Sequence, residues 1–310
     1  MILNIATYLS MLIFLITVLY RFLRIANTPA HLRWDLYPVP HEGFKKAKYG
    51  GSYYEELDWW TKPRHVSKAS ELSAMIPEII LLKGVWESNK SLWFWSWAFH
   101  FGLYLAIFMA VLVIASAIAG PVTAFGAVLT KIAGFSAIIG YLLGGIGCVG
   151  MLFKRLFDSK LKPYTTPGSI FNLIFILAIF VTGLKAISEI NLFTTGQSGL
   201  IGQLQIFVSG LTGFDSTAEI NRSVIWHIGV TLAFMVYMPF THMAHFVLKW
   251  FTYHSIRWND EPNKAGSKLE EDITKSLNFK PTWAADHIRA DGKKTWVDIA
   301  TEEVFKDEKK

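Results

Sequence analysis

The sequence predicts an all-α membrane protein of five transmembrane helices, with its N-terminus outside and its C-terminus inside. Of 310 residues, 52% are hydrophobic, and they gather into long runs instead of dispersing as they would in a soluble core. Residues 2–20, 91–130, 132–153, 165–184 and 223–248 contain no Asp, Glu, Lys or Arg. Each run is about 20 residues or more, the length an α-helix needs to cross roughly 30 Å of hydrocarbon. The 30 Lys and Arg residues alternate between connections: 11 lie in residues 21–90, one between the second and third runs, four between the third and fourth, two between the fourth and fifth, and 12 from Lys249 onward. Cytoplasmic connections carry the excess of positive charge, which gives the orientation.

Each element follows from its own residues. The first run has no basic segment before it and no small-residue cleavage site after it, so it reads as a retained helix. Residues 21–90 form a cytoplasmic connection, too aromatic for ordinary disorder and too broken by Pro and Gly for one long helix. Its last part, SELSAMIPEIILLKGVWESNKSLWFWSW, predicts a short interfacial helix leading into the second span. Trp86, Trp93, Trp95 and Trp97 there read as headgroup-level anchors. The second run exceeds one crossing; Gly120-Pro121 is its expected stop, leaving 122–131 as a short apolar loop. In the third span, Gly140, Gly144 and Gly147 fall on one helical side, either for close helix approach or to make room for a flat ligand. Thr165-Thr166-Pro167 predicts a cap and a first-turn proline for the fourth span. Residues 1–255 are thus expected to form the membrane domain, with 256–310 as a polar cytoplasmic tail, solvated or ordered by a partner.

The chemistry that can be excluded narrows the function. Cys148 is the only cysteine, so no internal disulfide forms, and its place in the third span predicts packing. No Cys cluster, phosphate loop or dinucleotide fingerprint is present, and no nucleic-acid partner is expected. Membrane lipid is the expected surroundings.

Histidine is what remains. His227, His242 and His245 lie in the fifth run, and His100 lies in the second. His227 and His245 are 18 residues apart, which in a continuous helix is five turns, one face and about 27 Å. His100 lies about ten residues from the cytoplasmic start of its span, at a depth matching His245 on an antiparallel helix. Two such imidazoles form a clamp for a b-type haem between helices, and ionisable groups inside a membrane tend to be functional. His31, His41, His65, His254 and His287 lie in connections and read as surface residues.

FHFG at 99–102, WHIG from Trp226 and MPFTHMAH ending at His245 resemble the membrane cytochrome b family of respiratory nitrate reductase gamma subunits. The family includes relatives paired with heterodisulfide-reductase-like iron–sulfur subunits, and the resemblance covers roughly residues 1–255. It implies an oxidoreductase subunit of a respiratory electron-transport chain in the cytoplasmic (inner) membrane. Electrons would pass between a menaquinol or quinone pool and a cytoplasmic iron–sulfur partner through one or two haems b. Carried over, His100 and His245 match the ligands of the haem nearest that partner, and His227 matches one ligand of an outer haem. The family's second outer ligand falls on Ala110, so three readings stay open: an outer haem on His227 alone, an outer haem with another ligand, or a single haem.

His242 is a second candidate near His245. Lys154 and Arg155 are candidates for haem propionates. Lys131, expected at the outer start of the third span, matches a lysine near the family's quinol site, and Asp215, Glu219 and Arg222 stand close to His227 in sequence. The connection 21–90 and the tail are candidate docking surfaces. Two rivals are a histidine-relay ion or proton transporter and a haem-free membrane anchor.

Overall fold

A computed structural model describes residues 2–29, 39–43, 46–49, 52–190, 199–213, 219–258, 260–282 and 290–302. Among these the regular structure is helical, apart from an isolated bridge between Glu42 and Val66. The helices are α1 (Ile2–Ala26), α2 (Lys46–Tyr49), α3 (Lys68–Ile80), α4 (Lys83–Ser88), α5 (Lys90–Ala119), α6 (Ala124–Phe157), α7 (Pro167–Glu189), α8 (Leu200–Thr212), α9 (Arg222–Tyr237), α10 (His245–Phe251), α11 (Lys268–Leu277) and α12 (Trp296–Thr301). Five are long and apolar enough to cross a membrane: α1, α5, α6, α7 and α9 with its continuation to Phe240. The chain folds as two compact units, one of residues 1–17 and 72–243, the other of 18–71 and 244–310.

In the first unit the helices pack in the order α5, α6, α7, α9, with α8 laid against α5, α6 and α9. Glycines set the closest approaches. A Cβ on Gly102 would stand 2.4 Å from the Gly144 backbone, one on Gly147 would stand 2.2 Å from the Phe99 nitrogen, and one on Gly150 would stand 2.0 Å from the Trp95 ring. The glycine side of α6 therefore serves helix packing, one of the two uses its spacing allowed. Trp95 is a packing residue, not simply a headgroup anchor. Across α6 and α7 the fit is reciprocal: the Phe180 ring covers Gly144 and the Tyr141 ring covers Gly183. The opposite stripe of α6, Phe135, Ile139, Leu142, Ile146, Val149 and Phe153, is exposed, an arrangement stable only against lipid. The chain is a multi-pass membrane protein.

Three local features depart from the sequence expectations. Residues 124–131 are helical, so the connection between α5 and α6 shrinks to a turn at Gly120–Thr123, closed by the Thr123 side chain capping the Gly126 N–H. Thr123 is a good N-cap; the segment looked like loop because the run from Ser91 exceeds one crossing and Gly120-Pro121 marks its stop. The fifth span is not one helix: α9 stops at Tyr237, and 3-10 turns at Met238–Phe240 and His242–Ala244 precede α10. Pro239 has no N–H and its ring crowds the carbonyl four residues back, which breaks an α-helix. The 18 residues between His227 and His245 are therefore not five turns of one helix. Finally, α8 fell in a stretch read only as a connection. Its Gln205 Nε2 donates to Ser116 Oγ and Thr130 Oγ1, both at 2.7 Å, joining α8 to α5 and α6. The expected cap of α7 is present, with Thr166 and Ser169 in a reciprocal capping box and Pro167 at the first position.

The second unit has a polar core. His41 and His254 are buried, contrary to their reading as surface residues, and both face Asp260. His41 Nε2 lies 2.7 Å from Asp260 Oδ1, and His254 Nδ1 donates to Oδ2. Arg64 donates to the Asp260 carbonyl at 2.8 Å and lies over the Tyr53 ring, where burial raises the phenol's pKa. Trp258, almost fully buried, meets His41, His254 and Tyr253. Gly43 and Ser67 amides donate to the carbonyls of His65 and His41, and a Cβ on Gly43 would collide with His65 at 2.5 Å. Aromatic and charged residues scattered along the connection thus gather around Asp260, with Glu71 and Glu42 also buried in the unit. His65 is exposed as expected, and His31 and His287 lie outside the described residues.

Burial raises the Asp260 pKa, but the contacts from His41, His254 and Arg64 outweigh it and leave the carboxyl below its ordinary value. A lowered folded-state pKa adds stability that is present above the unfolded value and lost as pH falls through the folded one. Asp260→Asn is expected to cost this unit about 2 kcal/mol, read as faster amide exchange at Gly43 and Ser67. In the unsubstituted protein the same amides should lose protection on acidification below about pH 4; protection indifferent to both changes would remove Asp260 as the organising charge.

Candidate functional site

His100 lies on α5, half-buried, one residue after Phe99, whose backbone touches Gly147 of α6. Its Nδ1 is 2.7 Å from the Ser96 carbonyl one turn earlier. A carbonyl only accepts, so Nδ1 carries the proton and Nε2 carries the lone pair. That is the tautomer of an imidazole metal ligand, with the ring held by a backbone carbonyl. Around it α5 is firmly seated. Trp93, Trp97 and Phe101 stack at successive turns, Trp93 Nε1 donates to the Leu81 carbonyl at 2.7 Å, and Tyr104 donates to the Ile79 carbonyl at 2.9 Å. These side chains satisfy carbonyls that the end of α3 leaves without helical partners.

His227, on the second turn of α9, is buried among protein groups. Tyr141 OH is 2.9 Å from Nε2, and Thr182 Oγ1 is 3.1 Å from Nδ1. Thr182 donates its own proton to the Ala178 carbonyl at 2.7 Å, so it accepts from Nδ1, and Nε2 must accept from Tyr141. Both ring nitrogens are committed. The α7–α9 contact continues in strict antiparallel register, with Phe234 against Phe175 and Tyr237 donating to Asn172 Oδ1 at 2.8 Å. Seven residues forward on α9 match seven back on α7, then three match three. Ala110 is exposed on α5, whereas His227 is directed to α6 and α7.

His242 lies in the second 3-10 turn and His245 opens α10; both are exposed. His242 belongs to the first unit and His245 to the second. Lys154 is half-buried, its ammonium 3.4 Å from both Asp158 Oδ2 and Ser91 Oγ. Asp158 is held below the usual carboxylate range by the Lys160 amide and then by Lys154. Arg155 is half-buried beside it in the last turn of α6. Lys131 is exposed on the second turn of α6, not at its start, while Glu219 and Arg222 are exposed at the beginning of α9. Asp215 lies outside the described residues. No cluster of three or more His, Cys, Asp or Glu suited to a bare metal ion occurs among the described residues.

Sequence reasoning did not find Tyr141, Thr182 or Gln205. Each is a single polar residue in an apolar run, and such residues on membrane helices signal interhelical hydrogen bonds; the partners, far apart in sequence, gave no periodic pattern.

A helical multi-pass membrane protein with an oriented intramembrane imidazole is the class that this fold and site define. The nitrate reductase gamma subunit family matches residues 85–259, more than half of the chain, and the protein belongs to that family. The Hdr-like menaquinol oxidoreductase cytochrome b-like subunit of Archaeoglobus fulgidus is 22% identical over 78% of this chain and 74% of its own length. No solved structure matches the chain.

Proposed function

We propose that the protein is the membrane cytochrome b subunit of a quinol oxidoreductase complex, passing electrons between a menaquinol-type carrier and a cytoplasmic iron–sulfur partner. The observation that carries this reading is the His100 tautomer: a half-buried imidazole, its Nδ1–H given to the Ser96 carbonyl, directs its lone pair from Nε2. Family membership makes haem b the group such a nitrogen would hold, and the donor chemistry fits it. His245 is the proposed second ligand, and Lys154 and Arg155 are cationic candidates for the propionates. Haem supplies one-electron carriage between a two-electron donor and a one-electron acceptor. This chain's residues orient the ligand, exclude water through the Trp93, Trp97 and Phe101 stack, and keep the helices in register.

The alternation of Lys and Arg supports an outside N-terminus and an inside C-terminus. The unit around Asp260 is the proposed surface for the iron–sulfur partner. It is built from the connection and the post-α10 segment, and its buried charges favour a preformed surface over one ordered by the partner. The name of the Archaeoglobus relative supports both the quinol substrate and a heterodisulfide-reductase-like partner.

The test is spectroscopic. Protein purified after haem-replete expression is expected to give a b-type pyridine haemochrome spectrum and to be reduced by a menaquinol analogue. A colourless preparation, or haem that quinol leaves oxidised, contradicts the proposal.

A further inference from the structure

We infer that this chain holds one haem, and that His227 is a bridge between helices and not an iron ligand. The inference rests on the function proposed above and selects the single haem among the three readings left open by the family resemblance. Iron needs the lone pair of one imidazole nitrogen, and at His227 neither is offered. Nε2 takes the Tyr141 proton at 2.9 Å, and Nδ1–H is given to Thr182 at 3.1 Å. The direction of each bond is forced, because Thr182 spends its proton on the Ala178 carbonyl. To ligate iron through Nε2, the ring would have to expel the Tyr141 hydroxyl from a place where that side chain is 1% exposed.

The surroundings leave no slot for a macrocycle. Tyr141 covers Gly183, Phe180 covers Gly144, and Gly140 already meets Leu105 and the Gly102 carbonyl. The glycines that would give a flat ring access to the α6 backbone are each closed by a side chain or by another helix. The position on α5 to which the family resemblance assigns a second ligand is Ala110, which has no donor atom and is exposed. His100 differs in its hydrogen bonding: its Nδ1–H is given to a backbone carbonyl of its own helix, not to a side chain of a neighbouring one. The two histidines therefore divide the tasks, His100 for iron and His227 for joining α6, α7 and α9 in the half of the bundle where α8 lies.

The decisive measurement is the haem-to-protein ratio of the purified full-length protein, with a potentiometric titration of its α-band. A ratio of one and a single midpoint are expected. His227→Ala and Tyr141→Phe should each keep that ratio and the low-spin spectrum while lowering the thermal midpoint of unfolding, since either leaves a buried polar atom without its partner. Tyr141→Phe keeps the ring that fills Gly183, so it reports on the hydrogen bond even if the alanine variant fails to fold. A ratio of two, two resolved midpoints, or loss of haem from Tyr141→Phe protein that remains folded would overturn the inference while leaving the electron-transfer role standing. A ratio of zero would instead overturn the role itself, and the single haem with it.

Discussion

Replacing His100 with alanine is expected to abolish the low-spin b-type absorbance of the purified protein. The Ser96 carbonyl, 2.7 Å from Nδ1, fixes the proton on that nitrogen and leaves Nε2 as the basic one. Loss of an orienting partner alone typically weakens a metal site about 10- to 100-fold, so loss of the ligand itself should exceed the upper figure. On the proposed assignment His245→Ala should bleach the same signal, since both imidazoles would be needed to hold the haem. His242→Ala should leave it largely intact. The helix break at Pro239 sharpens this contrast: His242 and His245 belong to different turns, a 3-10 turn and the start of α10, so the two rings are not interchangeable by a small rotation. A signal that survives His100→Ala but vanishes in His242→Ala would place the iron on another pair.

The second large effect is steric. Ala is preferred over Gly in a helix by about 1 kcal/mol, so Gly147→Ala judged on propensity alone would stabilise the protein. The expected result is the reverse, a loss of about 3 kcal/mol or more, since overpacking commonly costs 1–3 kcal/mol and here the obstacle is backbone. A Cβ at 147 would lie 2.2 Å from the Phe99 nitrogen and 2.6 Å from its Cα, atoms that move only if α5 and α6 part. Gly145 is the internal control. Its nearest neighbour would be the Phe180 Cβ at 3.8 Å, an ordinary contact, so Gly145→Ala should be neutral or slightly stabilising. Detergent-solubilised yield, monodispersity and unfolding temperature of the two variants would compare them; equal behaviour would mean that α5 and α6 do not meet on their glycines. His100 follows Phe99 directly, so displacement at Gly147 should also broaden the haem spectrum.

The sequence alone determined how many times the chain can cross a membrane. A charge-free run of sufficient length has no inexpensive alternative to a helix in lipid, and this constraint acts locally, without partners. It also determined the capped start of α7, where Thr166, Pro167 and Ser169 are neighbours in sequence, and it singled out His100 as a candidate ligand. The tertiary structure decided what lies beyond one helix. Whether glycines at 140, 144 and 147 admit a ligand or another backbone depended on Gly102, Phe99 and Phe180, which no periodicity in α6 reveals. His227 and His245 looked like two ligands on one face while the fifth span was taken as one helix; Pro239 breaks that register, and Tyr141 and Thr182, distant in sequence, claim both nitrogens of His227. His41 and His254 seemed superficial because their connections are polar, yet Asp260, which both face, and Glu71, beside His254, draw them inside. Periodicity reports which side of a helix is apolar, whereas the state of a polar side chain depends on partners that only folding brings within hydrogen-bond distance.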